Sequence, residues 1–301
     1  MSKFEYTNNY YHISKLLSLS IDKLSELTNS KIEKKNCLNL YNNPYLNFYK
    51  KELTILASRP SMGKTALALN WARDFAGNQN KSVGFISAGI PDSETLFLRL
   101  LSLESKIIHS RITRGLLSVN DLEKIQNACK KLYNLPIFIS DIPNSKFEDI
   151  ESIATDMVNK NKIEILFIDS FDYIYEIAVS KKLFCEGAIM AENMEPYYNE
   201  INFMIDSLKY LASDLKIPIV LLLSVKPDVY ENASTIASFE DKLAIPKIAD
   251  KVIFLHRERD NYPSKWHNAE VIIAKDSHNP SGHVNLEFNK GTGKFRCQKK
   301  L

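Results

Sequence analysis

From Leu53 onward, short apolar runs alternate with segments whose apolar residues recur at the three-to-four-residue spacing of a helix. Leu53–Ala57, Ser82–Ser87, Pro136–Ser140, Ile163–Ile168 and Ile217–Ser224 read as strands. Between them, Lys64–Phe75, Ser93–Leu103, Val119–Leu132, Phe147–Asn159 and Tyr197–Leu215 read as helices. Further strands are predicted near Lys251–Leu255, Ala269–Ala274 and Val284–Phe288, the last two as a hairpin edge. Runs such as ILFI and IVLLLS show no polar alternation, the mark of parallel strands covered on both faces. The expected fold is α/β: an open, twisted, mostly parallel sheet flanked by helices, with its ligand at the C-terminal ends of the strands.

The first fifty residues differ. Ile13, Leu16, Leu17, Ile21, Leu24 and Leu27 give Tyr10–Leu27 one apolar helical face, with Ser20 or Asp22 as caps. The Lys- and Asn-rich stretch Lys31–Asn47 then breaks the pattern. One such helix is too little for a domain, so its apolar face needs a surface from this chain or from a neighbour. The predicted organisation is a linker helix and connecting segment over 1–50 and one α/β domain over 51–301.

A chain of 301 residues that is 45% hydrophobic and 25% charged is globular. Its net charge of +3 is too small to argue for or against nucleic acid. Cys37, Cys129, Cys185 and Cys297 are far apart, which speaks against a disulfide scaffold or zinc site and fits a reducing cytoplasm. The six histidines have no metal-ligand spacing. Without an apolar leader or a run of membrane-spanning length, a membrane partner is not expected.

The candidate chemistry lies at the first strand–helix junction. Ser58-Arg59-Pro60-Ser61-Met62-Gly63-Lys64-Thr65-Ala66 links strand to helix and carries the G-x-x-x-x-G-K-[ST] pattern with Ser58 at the first glycine. In such a loop, successive N–H groups and the helix N-terminus hold an anion, and the lysine reaches the β- and γ-phosphates. The Thr65 hydroxyl is placed to hold Mg²⁺. A second signal is IEILFIDS, an apolar strand delivering Asp169 at its C-terminal end, where a carboxylate orients the Mg²⁺ hydration shell.

The segments ASRPSMGKTALALNWA, FISAGIPDSETLFLRLLSLES, RITRGLLS, LPIFISD, ILFIDSFDYI, NEINFMIDSLKYLASDLKIPIVLLLS, IADKVIFLHRE and VIIAKDSHNPSGHVNLEF occur in the order of a DnaB-type replicative helicase. Over roughly residues 50–296 the chain resembles that family's C-terminal RecA-like motor domain. The resemblance implies ATP and Mg²⁺ as cofactors and a hexameric ring hydrolysing ATP between subunits. It also implies single-stranded DNA in the ring's centre and replication proteins as partners. The family's N-terminal primase-binding domain has no counterpart in these residues, and Tyr10–Leu27 resembles its linker element alone.

Departures from the family fall on the chemistry. Where the family carries S-L-E-M, whose glutamate polarises the attacking water, this chain has Ser87-Ala88-Gly89-Ile90, placing Gly89 at the base position. Asp92 and Glu94 follow about a helical turn too late for proton abstraction. The γ-phosphate-sensing L-S-Q becomes Leu223-Ser224-Val225, and the K-Q-R of the trans-acting loop becomes Lys275-Asp276-Ser277, keeping the lysine and losing the arginine finger. The DNA-gripping D-L-R-E-S-G aligns with Ser238–Leu243, with Glu240 replacing an arginine. Between Asp169 and Tyr197, one basic pair, Lys181-Lys182, faces acids at Glu186, Glu192 and Glu195, an unconvincing DNA loop.

These losses favour an ATP-binding relative with weak or absent motor activity over a working helicase, and both over a phosphate-loop kinase or transport ATPase. Trp266-His267, after the Arg257–Asp260 charge cluster, reads as loop. Tyr6, Tyr10 and Tyr11 read as helix anchors or base-stacking rings, and Gly282 and Gly291-Thr292-Gly293 as hairpin turns.

Overall fold

Each strand expected between Leu53 and Ser224 forms, and each is buried along nearly its whole length except at the sheet edge. The structure, a computed structural model, describes residues 37–39, 46–88, 91–142, 147–169, 195–224, 245–257 and 266–298. The chain divides into two compact units, Met1–Leu38 and Asn39–Leu301. Of the first, only the start of strand β1 (Cys37–Asn39) is described, so the helix expected at Tyr10–Leu27 lies outside the described residues.

The second unit contains, in order, β2 (Asn47–Tyr49), β3 (Leu53–Ser58), α1 (Lys64–Asn78), β4 (Val83–Ser87), α2 (Ser93–Ser105), α3 (His109–Thr113), α4 (Val119–Tyr133), β5 (Ile137–Asp141) and α5 (Phe147–Asn161). Then follow β6 (Ile165–Asp169), α6 (Glu195–Leu215), β7 (Ile219–Ser224), α7 (Ile245–Ile248), β8 (Lys251–Arg257), β9 (Trp266–Asp276), β10 (Gly282–Asn289) and β11 (Lys294–Cys297). Nine strands form one sheet in the order β11-β10-β9-β8-β3-β7-β6-β4-β5. From β8 to β5 every pairing is parallel, and β9, β10 and β11 extend the sheet antiparallel.

Helices cover both faces of the parallel half, as uninterrupted apolar strands require. On one face α5 and α6 place Ile150, Ala154, Met204, Ile205 and Leu208 against Ile55, Ile168 and Leu221. On the other, Trp71 and Phe75 of α1 meet the edge of Phe48, and Phe85 stacks on Phe167 at 5.8 Å. Gly84 permits a close approach under α5. A Cβ there would lie 2.7 Å from the Ile163 side chain.

Two local expectations need correction. Trp266-His267 is not a loop but the first pair of β9, whose alternation of buried and open positions begins there. His267 points into the core, and Trp266 lies under the Arg296 guanidinium at 3.9 Å. Gly282 is the first residue of β10 rather than a turn residue, whereas Gly291-Thr292-Gly293 does make the β10–β11 turn, with Gly293 at φ 70°. Three described strands have no counterpart in the sequence reading, β1, β2 and β11, of three, three and four residues, each too short for periodicity to reveal.

Among the described residues, one ion pair is fully enclosed. Lys251 Nζ, at the start of β8, lies 2.8 Å from Asp276 Oδ2 at the end of β9 and donates to the Asn47 carbonyl at 2.6 Å. Burial pushes the Asp276 carboxyl up, but Lys251 and donors from His278 and Asn279 more than reverse this, leaving it below its ordinary 3.8. Removing one partner of such a pair strands the other charge. Asp276→Ala should therefore cost about 3–5 kcal/mol in a urea-melt comparison with the parent chain. Because the folded pKa is depressed, the contribution of Asp276 is complete above 3.8 and is lost as pH falls through the lower folded value.

Candidate functional site

The P-loop is built from backbone geometry. Strand β3 ends at Ser58, whose hydroxyl donates to the Arg59 carbonyl at 2.8 Å, and Met62 N–H folds back to the same carbonyl at 3.4 Å. Ser61 (φ 66°) and Gly63 (φ 101°) both take left-handed backbone conformations. At Gly63 a Cβ would meet the Phe288 and Phe295 rings only at 3.5 Å, so it is the φ that calls for glycine. Helix α1 starts there with no side-chain cap and no acid in its first turn. By contrast, Asp92 caps α2, and a Ser118–Asp121 capping box closes α4. The first N–H groups of α1 thus have no carboxylate of their own, the condition for an anion site at a helix start.

The loop is braced from behind. Arg257, at the end of β8, donates to the carbonyls of Met62 (3.3 Å) and Ser61 (3.0 Å) while its guanidinium lies over the Phe288 ring at 4.9 Å. Phe288 packs on Phe295 at 4.4 Å. Asn70 of α1 donates to the Ala66 and Gly293 carbonyls, each at 2.7 Å, and accepts from Phe295 N–H at 3.0 Å. One amide thereby ties the second turn of the P-loop helix to the β10–β11 turn.

Two hydrogen bonds bring the predicted residues together. Lys64 Nζ donates to Ser224 Oγ at 2.8 Å and to the Ser58 carbonyl at 3.4 Å. Thr65 Oγ1 donates to Asp169 Oδ2 at 2.6 Å. The sheet order explains both contacts. β7 lies between β3 and β6, Ser58 pairs with Ser224 in register, and Asp169 ends the next strand over. A hydroxyl and a carboxylate at this junction are hard oxygen donors suited to Mg²⁺, which takes few protein ligands when phosphates supply others. Among the described residues no group of three or more His, Cys, Asp or Glu offers a competing metal centre.

Beside α1 lies a cavity of about 160 Å³, walled by Leu69, Leu103 and Phe288 and edged by Arg99, His109 and the 290–293 turn. Burial lowers the Arg99 pKa, and Asp169 partly restores it through space. The His109 imidazole is also held below its usual range, by burial first and then by Arg99.

The residues expected to act on a neighbouring subunit sit elsewhere. Register places Lys275 beside Val252 and Val252 beside Ile55, so Lys275 and Ser277 lie at the N-terminal edge of the parallel strands. This is the edge opposite the P-loop. Lys275 Nζ donates to the Ala249 carbonyl at 2.6 Å, and both Ser277 N–H and Oγ donate to the Asp250 carbonyl at 3.0 Å. Nearby, His278 bonds Glu52 and its ring lies 4.2 Å from that of Tyr49. Asp92 is held by Thr95, whose hydrogen bonds depress its pKa, and Glu94 is exposed. Gly89, Val225, Glu240, Lys181, Lys182, Glu186 and Glu192 lie outside the described residues, and Glu195 is the first residue of α6.

A phosphate loop on β3, a carboxylate two strands away on β6 and an antiparallel extension past β8 define a RecA-like P-loop ATPase domain. The chain belongs to the family of the DnaB-like helicase C terminal domain, whose profile matches residues 42–297. It is 34% identical over 252 residues to the replicative DNA helicase DnaB of Treponema pallidum, covering 83% of this chain and 53% of that protein. It is 32% identical over 250 residues to a probable plasmid replicative DNA helicase of Chlamydia psittaci, covering 81% and 51%. The chain thus spans about half the length of the curated relatives it matches. Among solved structures, an isolated ATPase domain superposes with a TM-score of 0.71 at 22% identity, over 97% of this chain and 100% of that one. A DnaB-like replicative helicase, determined for its interactions with primase, gives 0.65 at 24% identity over 82% and 57%. At these identities the superpositions establish the fold alone.

Proposed function

We infer that the chain is an ATP·Mg²⁺-binding, replication-linked member of the DnaB family whose hydrolytic step is weak or lost. The observation that carries this reading is the assembled cradle: Lys64 on Ser224 and Ser58, Thr65 on Asp169, and an uncapped α1 start. In it, backbone N–H groups of Gly63 to Ala66 and the Lys64 ammonium hold the phosphates, and Thr65 and Asp169 hold the metal. Bound Mg²⁺ supplies charge neutralisation across the β- and γ-phosphates. Proton abstraction from water needs a carboxylate at the end of β4, where the sequence has Gly89. Asp92, spent on its helix cap, is no substitute.

Family membership favours a ring in which one subunit's N-terminal sheet edge faces the next subunit's P-loop. The place of Lys275 and Ser277 on that edge supports this arrangement. Replication proteins are the proposed partners, in the cytoplasm; no helix among the described residues is long and apolar enough to cross a membrane. A second reading, an active helicase translocating on single-stranded DNA, is favoured by the intact cradle and by Lys275. ATP turnover with and without single-stranded DNA, measured beside an ATP-binding titration, separates them. Tight binding with turnover near background is expected. DNA-stimulated turnover would instead establish the motor.

A further inference from the structure

The turn joining β9 to β10 carries Lys275 and Ser277, and its position decides what this edge of the sheet presents. Its base is fixed by Asp276, whose carboxylate pairs with Lys251 and accepts from the N–H groups of His278 (2.9 Å) and Asn279 (3.2 Å). Its tip, Ser277 and His278, is exposed. From that tip the His278 ring reaches back over the start of β3. Its Nε2 meets Glu52 Oε1, and the ring centroid lies 4.2 Å from that of Tyr49 in β2.

Glu52 has a fixed backbone and an ill-solvated carboxylate. The Lys51 N–H before it donates to the Ile217 carbonyl at 3.3 Å, and the Glu52 carbonyl accepts from Ile219 N–H at 2.9 Å. The carboxyl is buried, and burial drives its pKa above 4.5. His278 opposes that shift most, by charge and by hydrogen bond. Asp250 adds to the shift and Lys251 opposes it more weakly, the first being engaged by Lys209 of α6 and the second by Asp276. The largest favourable influence on this buried carboxylate therefore comes from the turn itself.

We propose that Glu52 and His278 are positioning residues for the Lys275–Ser277 turn, the buried carboxylate holding the turn docked on the sheet edge while Tyr49 keeps the imidazole turned towards it. The proposal rests on the reading above in which this edge faces the neighbouring subunit's P-loop, and it names what sets the place of the lysine that faces across. Linkage gives the catch its sign. His278 in place favours ionised Glu52, so proton uptake by Glu52 must disfavour His278 in place. A docked turn goes with the carboxylate, and a released turn goes with the neutral acid. Asp276 does not blur the two, because its own carboxyl is held below 3.8.

The test is amide exchange at the turn and titration of the Glu52 carboxyl carbon by NMR, in the full chain, its His278→Ala variant and its Glu52→Gln variant. At neutral pH the Ser277 and Asn279 N–H groups should exchange at least about tenfold faster in His278→Ala, the loss of one hydrogen bond to a charged group. Exchange within β3 should stay as in the parent. The Glu52 midpoint should climb further above 4.5 in His278→Ala, whereas a side chain that only filled space would leave it unmoved. Glu52→Gln keeps the shape and removes the charge, so its turn should also exchange faster. Parent-like protection of the turn in both variants, or an unmoved Glu52 midpoint, overturns the proposal. If His278→Ala does not fold, turn exchange in Glu52→Gln decides alone. None of these measurements needs nucleotide. A chain that shows the catch but binds no ATP loses only the P-loop reading, and one that binds ATP with a turn indifferent to both substitutions loses only the catch.

Discussion

Lys64→Ala should remove nucleotide binding, weakening ATP by at least about a hundredfold, with ADP weakened by less. The ammonium of Lys64 stands on two neutral oxygens, Ser224 Oγ and the Ser58 carbonyl, at the head of a helix without a carboxylate cap. Those contacts aim it at the anion site. Each charge-assisted hydrogen bond to phosphate is worth roughly 1.5–3 kcal/mol, so one or two of them account for the factor expected. The side chain is buried, so part of the effect would reach folding if the protein needed the ammonium for stability. Thermal melts of the ligand-free proteins separate the two effects. A parent-like melt with lost ATP binding is the expected pair, and unchanged ATP affinity in the variant would mean that the loop at Ser58–Ala66 is not the nucleotide site.

How this site came to be readable depends on what local sequence encodes. The β3–loop–α1 junction is written in consecutive residues: an apolar run, small residues at Ser58 and Gly63, then Lys64-Thr65 before a helical pattern. Backbone sterics at Gly63 and the polar pair at the helix start leave few alternatives. Asp169 is legible because a lone carboxylate closing an otherwise apolar strand stands out at the C-terminal edge of the sheet. The sheet itself follows from unalternating apolar runs, which are tolerated only where both faces are covered.

The supports of the site are not legible, because they come from register between distant segments. Nothing local in LLLS marks Ser224 as the rest for Lys64. That follows only when β7 is placed beside β3 with Ser58 opposite Ser224. Arg257 can be seen as a basic residue but not as the brace for two P-loop carbonyls, a contact across 195 residues. Asn70 sits in an ordinary helical pattern, and two of its three bonds reach Gly293 and Phe295, 223 and 225 residues later. Trp266 reads as loop because a charged cluster precedes it, whereas its ring is covered by Arg296 from a strand too short to detect. Long-range polar contacts of this kind leave no periodic signature.

The opposite sheet edge gives the second large effect. Gly89→Glu together with Ser277→Arg should raise ATP turnover by about a thousandfold in an assembled oligomer, and by far less in either single variant. An arginine finger supplied in trans is worth about 10³–10⁵ in related NTPases, but only if a base also positions the water. Ser277 is a permissive site for the change. Its N–H to the Asp250 carbonyl survives substitution, and only its exposed hydroxyl contact to the same carbonyl is lost. Neighbouring Lys275 and Asp276 keep the turn in place through Ala249 and Lys251. The two residues serve one reaction from two subunits, so their effects should multiply rather than add, as for groups that act as a unit. Steady-state turnover of the four proteins, taken beside a sizing measurement of each, reads this directly. Rings that form and still do not turn over would show that the alignment of Gly89 and Ser277 with the family's base and finger is mistaken. Turnover appearing in Gly89→Glu alone would place the missing positive charge within the same subunit.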